Sequence, residues 1–172
     1  MSPGNPPSKA VDSRRVARVY SALERVTDPE IPVLNVIELG VIAGVHADES
    51  GVRIDLTPTF AGCPALDVIR REIREAVEAC GEPRVKVRVV YDPPWTSDRI
   101  SEAGRRKLKE FGLAPPGPRC AGGQSEPDLI HVPCPHCSST DTDLESLFGP
   151  TLCRSIHYCR RCLQSFEHFK AV

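Results

Sequence analysis

The stretch "VIAGVHADESGVRIDLTPTFAGCPALDVIRREIREAVEACGEPRVKVRVV", Val41 to Val90, decides the fold. Its first part, together with the preceding "VIELG" from Val36, alternates apolar and polar residues on both sides of an Asp-Glu-Ser-Gly turn, which predicts a β-hairpin. After Cys63, "PALDVIRREIREAVEAC" sets Leu66, Ile69, Ile73, Ala76, Val77 and Cys80 on one helical face. Pro64 suits a first helical position and Gly81 an end, so a helix is expected between them. "RVKVRVVY", Arg84 to Tyr91, alternates charge with valine and reads as a half-buried strand.

Outward from this centre, "DSRRVARVYSALERV" repeats Val16, Val19, Leu23 and Val26 at helical spacing, and Pro29 in "TDPE" marks where that helix must have ended. On the other side, "DPPW" makes a loop in which Trp95 reads as a packing anchor. "SDRISEAGRRKLKEFG" then predicts a helix capped near Ser97 or Asp98. The order helix, strand, strand, helix, strand, helix implies an α+β domain over 12–112, a small mixed sheet packed by helices. Residues 1–11, rich in Pro and Ser, are expected to be a disordered tail. The Pro- and Gly-dense run 113–130 reads as a linker. Residues 131–172 form a cysteine-rich unit with too few apolar side chains to fold unaided, so a staple is expected.

The chain has 172 residues, a formal charge of −1, a pI near 6.5 and eight cysteines. No stretch approaches the roughly 20 apolar residues that span a bilayer, and "MSPGNPPSKAVDSRR" lacks the apolar centre of an export signal. A cytoplasmic protein with no membrane partner is expected, its thiols free or metal-bound rather than paired.

Those thiols are unevenly spread. "CPHC", Cys134 to Cys137, and "CRRC", Cys159 to Cys162, are two Cys-x-x-Cys pairs with 21 residues between them. Two such knuckles close a tetrahedral shell, and the interval leaves room for a hairpin, so a Cys₄ ribbon with structural Zn²⁺ is expected. Spacing alone leaves iron open on the same four thiolates. From His131 onward, Arg154, Arg160, Arg161 and Lys170 are matched by Asp141, Asp143, Glu145 and Glu167. With no basic stripe, the ribbon is expected to dock protein and not nucleic acid. Cys153 lies between the knuckles as a surplus thiol, either a small buried hydrophobe or an extra metal ligand.

Cys63 stands alone before the central helix, where the dipole and free N–H groups are expected to favour its thiolate. It is read as a nucleophile, a soft-metal ligand or an inert thiol, whereas Cys80 belongs to the apolar face. A thiol enzyme would need an imidazole, and His46 is the one histidine of the first domain. Asp28, Glu30 and Glu38 could add carboxylates to a metal site, although Asp-Pro-Glu also suits a turn and Glu38 a solvated surface.

"DPEIPVLNVIELGVI", "TPTFAGCPALDVI" and "VVYDPPWTSDRISEAGRRKLKEFGLAPP", followed by "CPHCSSTDTDLESLFGPTLCRSIHYCRRCLQSFEHFK", resemble the small D subunits of bacterial phenylacetyl-CoA epoxidases, or phenylacetate-CoA oxygenases. The first domain alone is similar to the wider iron–sulfur assembly-factor family, through its Asp-Pro-Glu turn and Thr-x₄-Gly-Cys-Pro loop. The resemblance implies that Cys63, with Asp28 and Glu30, is the family's metal- or cluster-transfer site. It implies a transient iron or iron–sulfur cargo, partners among the oxygenase and reductase subunits, and an arrangement in which a homodimer shares the cargo. The chain lacks the helical Glu-x-x-His pair of a di-iron oxygenase and the glycine-rich fingerprint of a nicotinamide-binding reductase. A non-catalytic accessory subunit is therefore expected. A purely structural subunit with an inert Cys63 is the alternative, and a Cys63–His46 enzyme the weaker rival.

Overall fold

The computed structural model describes residues 13–60, 62–117 and 132–170. The expected tail at 1–11, most of the expected linker and Cys120 lie outside the described residues.

Helix α1 (Ser13–Leu23) buries Val19, Ala22 and Leu23, the face that its spacing predicts. The chain then turns through Asp28 to Gly40. The expected first strand begins later than Val36, because Leu39 and Gly40 donate backbone bonds to Asn35 and Ile37 and close turns there. Gly40 takes a left-handed φ of 72° and lies against the Arg99 backbone, a position with no room for a Cβ. Strand β1 (Ile42–Asp48) pairs antiparallel with β2 (Gly51–Leu56), and β2 pairs parallel with β3 (Val85–Val89). The three-stranded mixed sheet thus forms as expected, with the crossover between β2 and β3 supplied by α2 (Leu66–Ala79).

Helices α1 and α2 cover one face of this sheet. Ile69, Ile73 and Val77 of α2 meet Val52, Ile54 and Leu56 of β2 and Val87 of β3 in one core. Each such side chain stabilises the fold by about 1.5–3 kcal/mol relative to exposure. The opposite face carries His46, Arg53, Asp55 and Arg88, with Arg88 and His46 both reaching Asp55. Buried Glu82, just after α2, accepts from Arg15 at 2.5 Å and Arg18 at 2.8 Å, and so ties α1 to the helix end.

The last helix of this domain differs from expectation. Ser97–Arg99 form a single 3₁₀ turn, and α3 runs over Glu102–Phe111 with Ser101 as its cap, the Ser101 hydroxyl accepting from Gly104 N–H at 3.0 Å. Ile100, in extended backbone between them, interrupts the helix that the charge pattern suggests. Gly112 ends α3 in the left-handed conformation. The next two residues, expected to open the linker, instead form β4 (Leu113–Ala114), parallel to β7 (Gln164–Phe169).

β7 belongs to a second sheet, completed by β5 (Thr142–Ser146) and β6 (Arg154–Cys159), in the order β4-β7-β6-β5. The β5–β6 hairpin occupies the interval between the two Cys-x-x-Cys pairs. This sheet has a small core of Ala114, Val132, Cys134, Cys159 and Phe166. Its Phe169 leaves that core for the first one, edge-on to Trp95 with ring centroids 6.0 Å apart. Trp95 N–H donates to the Leu39 carbonyl at 3.1 Å, so the anchor expected at "DPPW" joins both domains.

Candidate functional sites: a four-thiol cluster and a cysteine at the domain seam

Cys134 and Cys137 open the ribbon, and Cys159 and Cys162 sit in the turn from β6 to β7. Their sulfurs all lie within 4.8 Å of one another. Cys134 Sγ is 3.6 Å from Cys162 Sγ, and Cys137 Sγ is 3.5 Å from Cys159 Sγ. Four thiolates around one ion at the zinc–sulfur distance of about 2.3 Å form a tetrahedron with edges of about 3.8 Å, so the donor set fits a metal ion with little movement.

The two knuckles are built alike. Ser138 N–H donates to the Cys134 carbonyl and Leu163 N–H to the Cys159 carbonyl, both at 2.8 Å, and Ser138 and Leu163 share a left-handed φ of 59°. Neither residue type announces that conformation, which glycine would have signalled. Each turn aims two N–H groups at a sulfur: those of Cys137 and His136 at Cys134, those of Cys162 and Arg161 at Cys159. These bonds hold the Cys159 thiol down at about 7, while burial among neighbouring sulfurs pushes Cys162 up to about 12. Four thiolates at this spacing need a cation to share their charge. Cys153 is not part of the cluster.

The second site lies where the domains meet. Cys63 is half-buried in the loop before α2, its N–H donating to the Phe60 carbonyl at 3.1 Å and its carbonyl accepting from Leu66 at 3.3 Å. Pro64 is in a turn and not at the first helical position, since α2 begins at Leu66 behind Ala65. The expectation of a thiolate favoured by the helix dipole is corrected accordingly. Burial raises the Cys63 pKa, the charges of Asp28 and Cys153 add to it, and the Ala65 and Leu66 N–H groups oppose it without prevailing.

Asp28 is buried, with Oδ1 accepting from Glu30 N–H at 2.7 Å and Ile31 N–H at 3.1 Å. Desolvation lifts its pKa above the usual carboxylate value. The Asp-Pro-Glu segment is therefore a turn closed by its own aspartate, and it also faces Cys63, because Asp28, Glu30 and Cys63 line one small cavity. The far wall of that cavity belongs to the ribbon: Thr151, Leu152, Cys153 and Phe169.

Arg154 fixes this seam. It is buried, pairs with Glu167 Oε2 at 2.6 Å on the neighbouring strand, and donates across to the Glu30 carbonyl. Neither Arg154 nor Phe169 carries a local sequence signal for such a role, since both act on residues more than 70 positions away.

His46 does not join Cys63. It stands on the charged face of the first sheet, 3.3 Å from Asp55, and none of the described residues lining the Cys63 cavity is a histidine. Glu38 is engaged by Lys107 Nζ at 2.7 Å and by the Asn35 backbone. No helix among the described residues is long and apolar enough to cross a membrane.

An α+β domain with a Gly-Cys-Pro loop, joined to a β-ribbon with four clustered thiols, defines a two-module class, and comparison with known proteins identifies both modules. Residues 16–89 match the family model for "Iron-sulfur cluster assembly protein", and residues 118–170 match "PaaD zinc beta ribbon domain". Over 92% of its length the chain is 36% identical to a protein of Escherichia coli (strain K12) provisionally named as the D subunit of 1,2-phenylacetyl-CoA epoxidase, covering 94% of that protein. The chain belongs to this family of epoxidase D subunits. Over 52% of its length it is also 38% identical to the Fe-S protein maturation auxiliary factor YitW of Bacillus subtilis (strain 168), covering 89% of that protein. Among solved structures, a domain of unknown function (DUF59) from Bacillus anthracis superposes with a TM-score of 0.52 at 30% identity, over 55% of this chain and 92% of that one. The α+β fold of the first domain is thereby shared with that domain. The relatives are an epoxidase component in one case and a maturation auxiliary factor in another, which supports an accessory or maturation role.

Proposed function

We propose that the protein is a non-catalytic accessory subunit of a multicomponent phenylacetyl-CoA epoxidase, and that it assists loading of iron or an iron–sulfur cluster into the oxygenase or its reductase. In this reading Cys63 is the transient ligand for the cargo, Asp28 and Glu30 supply carboxylates beside it, and Zn²⁺ holds the ribbon that docks the client. The observation that carries it is the setting of Cys63: a soft donor that shares with Asp28 and Glu30 one cavity, whose described lining offers no imidazole to make it a nucleophile. A raised pKa suits a ligand that is loaded and unloaded, since the thiol releases its proton when metal binds and regains it when metal leaves. The choice of Zn²⁺ rests on the all-thiolate, closed four-donor set.

The test is anaerobic purification of wild type and Cys63→Ser, with iron, sulfide and zinc measured in each, followed by addition to oxygenase produced without this protein. Wild type is expected to restore activity, and Cys63→Ser to keep its zinc while restoring at most about a tenth. Full restoration by Cys63→Ser would sink the carrier reading. It would favour a structural component that steadies the complex, for which the half-buried Cys63, its pKa raised by burial, is the supporting observation.

A further inference from the structure

Cys153 is the one described ribbon cysteine that the four-thiol cluster does not use. It sits at the seam, its sulfur 3.1 Å from the Thr151 hydroxyl, and packs against the core of the first domain. Together with Cys63 and Asp28 it lines a cavity of about 30 Å³, room for roughly one water-sized occupant. Two thiols and a carboxylate that is more than nine-tenths buried thus converge from two domains on a space the size of an ion. The Glu30 and Ile31 N–H groups both donate to Oδ1 of the Asp28 carboxylate. The nearest cation, Arg154, is occupied by Glu167 and the Glu30 carbonyl.

We infer that Cys63, Cys153 and Asp28 form an interdomain site for a single thiophilic divalent cation, which fastens the ribbon over the first domain's cysteine. The inference rests on the carrier reading of Cys63 above and sharpens it. With the seam closed, the cavity takes one ion and excludes a polynuclear cluster, so a cluster would require the ribbon to lift. Among the described residues the ribbon's four thiols are the only group of three or more Cys, His, Asp or Glu donors that all lie within 4.8 Å of one another, so the three seam donors stand farther apart than that. The three donors therefore have to close up when metal enters, and Cys153 can do so by giving up its contact with the Thr151 hydroxyl. The soft pair selects a metal such as ferrous iron, zinc or cobalt over magnesium or calcium.

The test uses the full chain with its ribbon already loaded with zinc, titrated anaerobically with Co²⁺. Zinc outcompetes cobalt on the four thiolates, so added cobalt reports the seam. One further equivalent is expected, with thiolate-to-cobalt charge-transfer absorption. Cys63→Ser and Cys153→Ser should each weaken binding about tenfold or more and roughly halve that absorption, and the double variant should abolish it. Cys153→Ala, with unchanged zinc content and circular dichroism, guards against misfolding and should behave as Cys153→Ser does. If Cys63→Ser loses the cobalt while both Cys153 variants keep it, the interdomain site is refuted and the carrier reading stands. If cobalt binding ignores both cysteines, or no equivalent beyond the ribbon is taken up, the inference fails outright. Restoration of oxygenase activity by Cys63→Ser then decides the carrier reading separately.

Discussion

The two domains of this chain are held together by different means. The first encloses a continuous apolar core, from Val19 and Leu23 of α1 through Ile54 and Leu56 of β2 to Ile73 and Val77 of α2. The second has five buried core residues among those described, of which Cys134 and Cys159 also belong to the four-thiol cluster. A sheet of this size cannot offset the conformational entropy of its residues by burial alone, and a metal bound by the four thiols, as proposed above, would supply the missing free energy. The ribbon thus depends on two external supports, the ion and the neighbouring domain, while the first domain depends chiefly on itself.

Removing the ion should disturb this division most. Cys134→Ser, or a strong chelator on wild type, is expected to abolish metal binding by the ribbon and unfold β5–β7, with up to about 10 kcal/mol of metal binding free energy lost. Amide hydrogen exchange should show the ribbon strands lose protection while β2 and α2 keep theirs. Equal loss in both domains would mean that the first domain is not self-sufficient.

A smaller effect is expected from the shared support. Phe169→Ala empties the place beside Trp95 and should cost about 3–5 kcal/mol. Urea titrations followed by fluorescence of Trp95, the chain's only tryptophan, would measure it. Wild-type stability in that variant would show that the domains pack without mutual support.

The smallest expected effect concerns the first domain alone. Arg15 and Arg18 hold the Glu82 carboxyl down at about 2, against 4.5 for a free group. A depressed carboxyl contributes stability that is full above pH 4.5 and lost as the pH falls toward 2. Glu82→Gln should lower stability at pH 7 by on the order of 1–2 kcal/mol, the half-exposed Arg18 limiting the gain. Denaturation at a series of pH values should also show a flatter acid limb than wild type, and parallel curves for the two proteins would remove Glu82 as the cause.

Much of the first domain was legible because its signals are local. Alternation in β1 to β3 and the 3.6-residue spacing of α1 and α2 state which face is buried, and the structure buries those faces. Helix boundaries were less legible. Pro64 and Ser97 resemble helix starts chemically, but a preceding turn in one case and extended Ile100 in the other move the starts to Leu66 and Glu102. In the ribbon, the four thiols announced themselves by spacing, since two knuckles need nothing beyond a two-residue gap.

Several of the seam's residues were legible one by one, but their meeting across the two domains was not. β4 pairs with a strand some 50 residues later, and only that partner makes Leu113–Ala114 a strand. Along the chain Cys153 reads as either a small buried hydrophobe or an extra metal ligand, and the spacing does not decide between them because its neighbours Cys63 and Asp28 come from the other domain. The thiolate expected at Cys63 failed for the same reason. A local dipole argument does not include the ribbon that covers the sulfur and withdraws water from it.

Phe169 has a consequence for the order in which the protein is made. Trp95 is translated more than 70 residues before the Phe169 ring that packs edge-on to it, which is added only after both knuckles and all of β6 have been translated. Until then Trp95 lacks that ring, and a chain interrupted before residue 169 never gains it. The finished seam therefore marks a chain translated through its ribbon, and a client that docks across both domains would engage only chains that have reached that point.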